Sequence, residues 1–153
     1  MNKKLFLVVF LIAFALLIIS NNNIRYPFSI DSNSVDSPSN AIDSEDLHVF
    51  SDKVVIEKED LIWAKIKDTH SMEPVLNSDS ITLEVVPTTP SDIQKGDIIS
   101  YLHDSLIIIH RVILIGEDEQ GWFAITKGDN NQEPDPYKVR FSQIKGLVVG
   151  ILY

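Results

Sequence analysis

Ser71 stands in the run Asp68-Thr69-His70-Ser71-Met72-Glu73-Pro74, His110 in Ile109-His110-Arg111-Val112, and two acids follow in Lys127-Gly128-Asp129-Asn130-Asn131 and at Asp135. These are a hydroxyl, an imidazole and two carboxylates. A neutral imidazole near pH 7 can take a serine proton and return it to a departing amine. One carboxylate suffices to orient that ring and to stabilise its protonated form. Brought together, the four residues would make a serine hydrolase. Each also has a plainer reading. Serine is a common turn residue, a histidine can face outward on an edge strand, and Gly128-Asp129-Asn130 suits a β-turn closed by side-chain hydrogen bonds. Spacing alone leaves the orienting role open between Asp129 and Asp135.

The elements that must carry these residues are short and β-like. Runs rich in β-branched and aromatic residues cover 61–67, 80–86, 97–101, 106–115, 122–126 and 146–153, punctuated by Pro87, Pro90, Gly96 and Gly116. Past Val54 no apolar period of 3.6 residues is sustained over three turns, and helical turns are expected at most at Ser71 or Ser91. The expectation is a mainly β, compact antiparallel domain over 54–153. Pro74 restricts Glu73 and so places Ser71 on a constrained turn.

The preceding part is different in kind. Leu5–Ile19 is wholly apolar and follows Lys3 and Lys4. As a helix it would be about 22 Å long, short against a hydrocarbon core of about 30 Å, so Ser20 and the asparagines after it would sit near the interface. No small-x-small pair follows to suit a cleavage site, which favours a retained anchor over 1–20. The lysines would stay in the cytoplasm and the rest of the chain outside it, as a single-pass membrane protein in contact with lipid. Residues 21–53 are rich in Ser, Asn and Asp and read as a disordered tether.

The 153 residues carry 22 acidic and 13 basic side chains, a net charge of −9. No basic cluster is present to displace counterions, which argues against nucleic-acid binding. The chain has no cysteine, which excludes disulfides, thiolate zinc sites and cysteine-protease chemistry. His48, His70, His103 and His110 show no metal-binding spacing, so neither metal nor cofactor is expected.

Taken in order, Ser71-Met72-Glu73-Pro74, His110-Arg111-Val112 and Gly128-Asp129-Asn130-Asn131 through Asp135 resemble the boxes of type I signal peptidases, in the archaeal and endoplasmic-reticulum branch that uses Ser-His. The usual bacterial branch has lysine where His110 stands. Residues 93–101 and 146–150 resemble the family's connecting and closing strands. The resemblance implies a β domain of the signal-peptidase type, with Ser71 as nucleophile, His110 as base, Asp135 orienting it and Asp129 in support. It also implies that the Ser71 N–H and the Thr69 hydroxyl hold the oxyanion, and that secretory precursors are the substrates, cut after small residues. Ile66, Leu83 and Val85 are the strand residues expected to line the pockets. His70 departs from the family, which usually has glycine there, and so does Pro136, where an acid is common. Two alternatives remain: a serine protease with another substrate, and a catalytically impaired, membrane-tethered peptide-binding module.

Overall fold

The computed structural model describes residues 36–65, 67 and 70–153. The expected anchor, 1–20, lies outside them, as do Ile66 and Thr69. Among the described residues no helix is long and apolar enough to cross a membrane.

The β-branched runs become strands. A small hairpin pairs β1 (Leu47–Val49) with β2 (Val54–Ile56). The main sheet holds β3 (Leu61–Lys65), β4 (Ile81–Val85), β5 (Ile98–His103), β6 (Leu106–Asp118), β7 (Gly121–Lys127), β8 (Val139–Arg140) and β9 (Ile144–Leu152). Its spatial order is β3-β4-β9-β5-β6-β7-β8, and each pairing is antiparallel. The mainly β antiparallel class expected from the sequence is therefore what the described residues form.

Part of the stretch expected as a tether is attached. Besides β1, Ser39 N–H donates to Asp97 Oδ1 (2.6 Å) and Lys95 pairs with Asp36 (2.7 Å). Polar composition hid these attachments because they run through backbone N–H and a carboxylate rather than through apolar burial.

Two apolar clusters flank the strands. The larger joins Val85, Ile99, Tyr101, Val112, Ala124, Val139 and Leu147 with their neighbours. The smaller joins Met72 and Leu76 with Ile98, and Val148, Ile109 and Ile151 pack against it. Successive residues Ile98 and Ile99 of β5 thus serve opposite faces, as strand alternation requires. Met72 and Leu76 are 4% and 1% exposed. Each contributes about 1.5–3 kcal/mol on burial, and both hold the turn that carries Ser71 against the sheet.

A polar knot sits between β4, β9 and β5. Glu84, 2% exposed, accepts from Thr82 Oγ1 (2.7 Å) and Ser100 Oγ (2.6 Å). It fits only because Gly146 lacks a side chain: a Cβ there would collide with the Glu84 carboxylate and come within 3.0 Å of Ser100 Oγ. Gly146→Ala is therefore expected to destabilise the domain by about 2–3 kcal/mol through overpacking, which thermal unfolding would register as a lowered Tm.

Candidate active site

Ser71 opens a tight turn over 71–75, closed by Leu76 N–H donating to Met72 O (2.9 Å). His110 lies in the middle of β6, opposite Ile99 of β5, and is 8% exposed. It is neither on an edge strand nor turned to solvent. Asp135 sits in the loop after β7, its N–H donating to Thr126 O (2.8 Å).

These three side chains meet. His110 Nε2 is 3.1 Å from Ser71 Oγ, and His110 Nδ1 is 2.7 Å from Asp135 Oδ2. An ionised carboxylate can only accept, so Nδ1 carries the proton. In the neutral ring the Nε2 lone pair then faces the serine hydroxyl. The tautomer that a general base requires is fixed by the carboxylate behind it.

Asp135 is itself held. Thr126 Oγ1 (2.6 Å) and Tyr101 OH (3.0 Å) donate to the same Oδ2 that meets the ring. Burial pushes this carboxyl up, but the hydrogen bonds and charge of His110, with those of Thr126 and Tyr101, outweigh it. The net shift is below the ordinary 3.8. A lowered pKa stabilises the fold above the unfolded value, and that contribution is lost as pH falls through the folded one. The window therefore lies below about 3.8, and Asp135 is ionised at neutral pH. Tyr101 is driven the other way, its phenol raised by burial beside Asp135, so it remains a donor. Sequence reasoning passed over Tyr101 and Thr126. The only signal for them was a hydroxyl among the mostly apolar residues of each of two strands.

Asp129 goes elsewhere. Arg111 grips it with two parallel bonds, Nε to Oδ1 and Nη2 to Oδ2, each 2.7 Å, and sends Nη1 to Gly96 O (2.7 Å). Asp129 thus ties its loop to the residue next to His110. The same loop cradles the backbone of the serine turn. Asn130 N–H donates to Ser71 O (2.9 Å) and Asn130 Nδ2 to His70 O (3.0 Å). A Cβ on Gly128 would stand 2.5 Å from Ser71 O, so glycine permits the approach. Lys127 Nζ closes the loop on Gly128 O (3.0 Å) and Asn131 O (2.7 Å).

His70 answers the question its sequence position raised. Its φ is +57°, the left-handed conformation that glycine adopts freely. Its Nδ1 lies 2.7 Å from Glu73 Oε1. The backbone keeps the glycine-like path and the imidazole pairs with an acid of the same turn. Thr69, expected at the oxyanion position, lies outside the described residues.

A groove of about 640 Å³ runs past Ser71 and His110, floored by Met72, Leu76, Ile107 and Ile109. Leu83 and Val85, expected to line it, do not: Val85 belongs to the larger core cluster. Strand alternation turns it to the other side of the sheet.

Compared with known proteins, the chain is 32% identical over 81 residues to signal peptidase I W of Bacillus subtilis (strain 168). The match covers 52% of this chain and 43% of that protein, so the chain spans under half the length of the curated relative it matches. No protein-family model matches the chain, and no solved structure does.

Proposed function

We propose that this chain is a membrane-anchored serine endopeptidase of the Ser-His signal-peptidase type, removing leader segments from exported precursors outside the cytoplasmic face. The observation that carries the reading is the relay from Ser71 Oγ through His110 to Asp135, at 3.1 and 2.7 Å. The likeness to a signal peptidase I supports the substrate class, and the imidazole facing Ser71 supports the Ser-His branch. The apolar segment 5–19 behind Lys3 and Lys4 supports the placement at a membrane.

In this reading Ser71 Oγ bonds to the scissile carbonyl carbon while its proton passes to His110 Nε2. The carbonyl π electrons move onto oxygen, where the Ser71 N–H and the Thr69 hydroxyl are assigned to hold the oxyanion. Asp135 stabilises the imidazolium without taking its proton. The intermediate collapses, the C–N bond breaks, and His110 gives its proton to the leaving amine. Water, deprotonated by the same ring, then adds to the acyl carbon; the bond to Ser71 Oγ breaks and the ring returns the proton to that oxygen. Asp129 and Asn130 act as positioning residues through the backbone they fix. The precursor would bind in extended form along the groove, with β3 as the exposed edge strand.

The test uses the detergent-solubilised full chain and a precursor bearing an Ala-x-Ala site. One cut after the second alanine is expected, and a fluorophosphonate should leave its adduct on the peptide containing Ser71. Precursor that binds yet stays intact, with no adduct on Ser71, would mark an inactive peptide-binding module and overturn the proposal.

A further inference from the structure

The groove carries a charge pattern at odds with the rest of the molecule. The chain has a net charge of −9, yet Lys65 and Lys67 line the groove together with His70 and His110. No Asp or Glu is among its described lining residues. Asp68, between Lys67 and Thr69, lies outside the described residues. Elsewhere among the described residues most cations are engaged, Lys145 and Lys53 (over the Phe50 ring) being in no ion pair. Lys58, Lys95, Lys138, Arg111 and Arg140 form ion pairs, and Lys127 is bound to carbonyls. Lys65 and Lys67 enter no ion pair among the described residues, and both are exposed.

Lys65 ends β3, whose other side pairs with β4, and β3 is the outermost strand of its sheet. A peptide lying against that edge and reaching Ser71 must pass these two ammonium groups. Its carboxylates would find a stretch of wall whose cations have no acidic partner among the described residues, whereas its own lysines would be repelled. The lining beneath, Met72, Leu76, Ile107 and Ile109, is apolar and suits uncharged side chains.

Resting on the reading of Ser71 as a peptidase nucleophile, we infer that the groove is built for an acidic peptide: the segment bound beside the scissile bond carries Asp or Glu side chains that pair with Lys65 and Lys67. The occupant is the substrate chain, not an anionic lipid headgroup. Both lysines belong to the wall of the cleft holding Ser71 and His110, where a scissile bond must lie.

The experiment compares two peptides with the same Ala-x-Ala site, one with glutamates flanking it and one with glutamines. The full chain in a neutral detergent cleaves them, and a Lys65→Gln/Lys67→Gln double variant does the same. The glutamate peptide should show a KM roughly tenfold lower. That advantage should vanish in the double variant and shrink as salt is raised, with kcat little changed. Equal KM for the two peptides in the wild type overturns the inference while leaving the peptidase reading intact. If neither peptide is cut, the peptidase reading fails. Binding of the two peptides, fluorescently labelled, then decides the charge preference by itself: tighter glutamate binding that depends on the lysines supports it, and equal binding overturns it. Loss of binding to phosphatidylglycerol vesicles in the double variant, with unchanged peptide kinetics, would assign the lysines to the bilayer and also overturn it.

Discussion

Ser71→Ala and His110→Ala should each lower the hydrolysis rate by about a millionfold, and the double variant should cost little more than either alone. The reason is geometric. The serine hydroxyl is a weak nucleophile until a base takes its proton, and the proposed mechanism gives that part to His110 Nε2, 3.1 Å away. Removing either member removes the whole proton relay, so the second loss has nothing left to act on. Rates for the four proteins, measured with enzyme in excess, would show this non-additivity. Independent losses that multiply would mean that the two side chains serve separate roles and that the relay is not the mechanism. Ser71→Ala should leave the fold intact, because the turn is held by its backbone and by Met72 and Leu76, whereas His110→Ala also strips the largely buried Asp135 of its partner and should lower Tm.

The two aspartates should separate just as sharply. Asp135→Asn should reduce kcat about ten-thousandfold. An amide can offer a donor towards Nδ1 and so favour the tautomer that turns a proton, rather than a lone pair, towards Ser71. Thr126 and Tyr101 donate to that same oxygen in the native protein, so an amide nitrogen there would also cost them their acceptor and force both hydroxyls to turn. Asp129→Asn should act by another route. It breaks the paired bonds to Arg111, whose side chain is only 16% exposed, and so leaves a largely buried cation poorly matched. A stability loss of about 1–3 kcal/mol follows. The loop that holds Ser71 loosens, and kcat falls by about a hundredfold through misplacement. Thermal unfolding beside kcat for both variants distinguishes the routes. A ten-thousandfold loss in Asp129→Asn with unchanged Tm would exchange the two assignments.

Much of the scaffold was legible because period and composition are local. The run 106–115 could hardly be other than a strand, and β6 is there, extended to Asp118. The runs that became β4, β5, β7 and β9 were equally plain. Strands β1, β2 and β8, of three, three and two residues, were not. Pieces so short are set by the partner they pair with, and their own sequence carries almost no periodic signal. His110 shows the limit most clearly. A polar pair interrupting an apolar strand fits an outward edge position as well as a buried one. The choice depends on β6 lying between β5 and β7.

The sequence by itself determined the inventory: one hydroxyl on a proline-constrained turn, one imidazole in an apolar strand, two acids after a glycine, no thiol, and an acidic surface. These are facts of residue type and near neighbours. Only the tertiary structure decided between the acids, sending Asp135 to the ring and Asp129 to Arg111. It alone supplied Tyr101 and Thr126 as the hydroxyls that hold Asp135, and placed Lys65 and Lys67 along the groove with no ion pair among the described residues. Hydrogen bonds and ion pairs act over about 3 Å, and it is the sheet's order, not the spacing of residues along the chain, that sets which groups come within that distance.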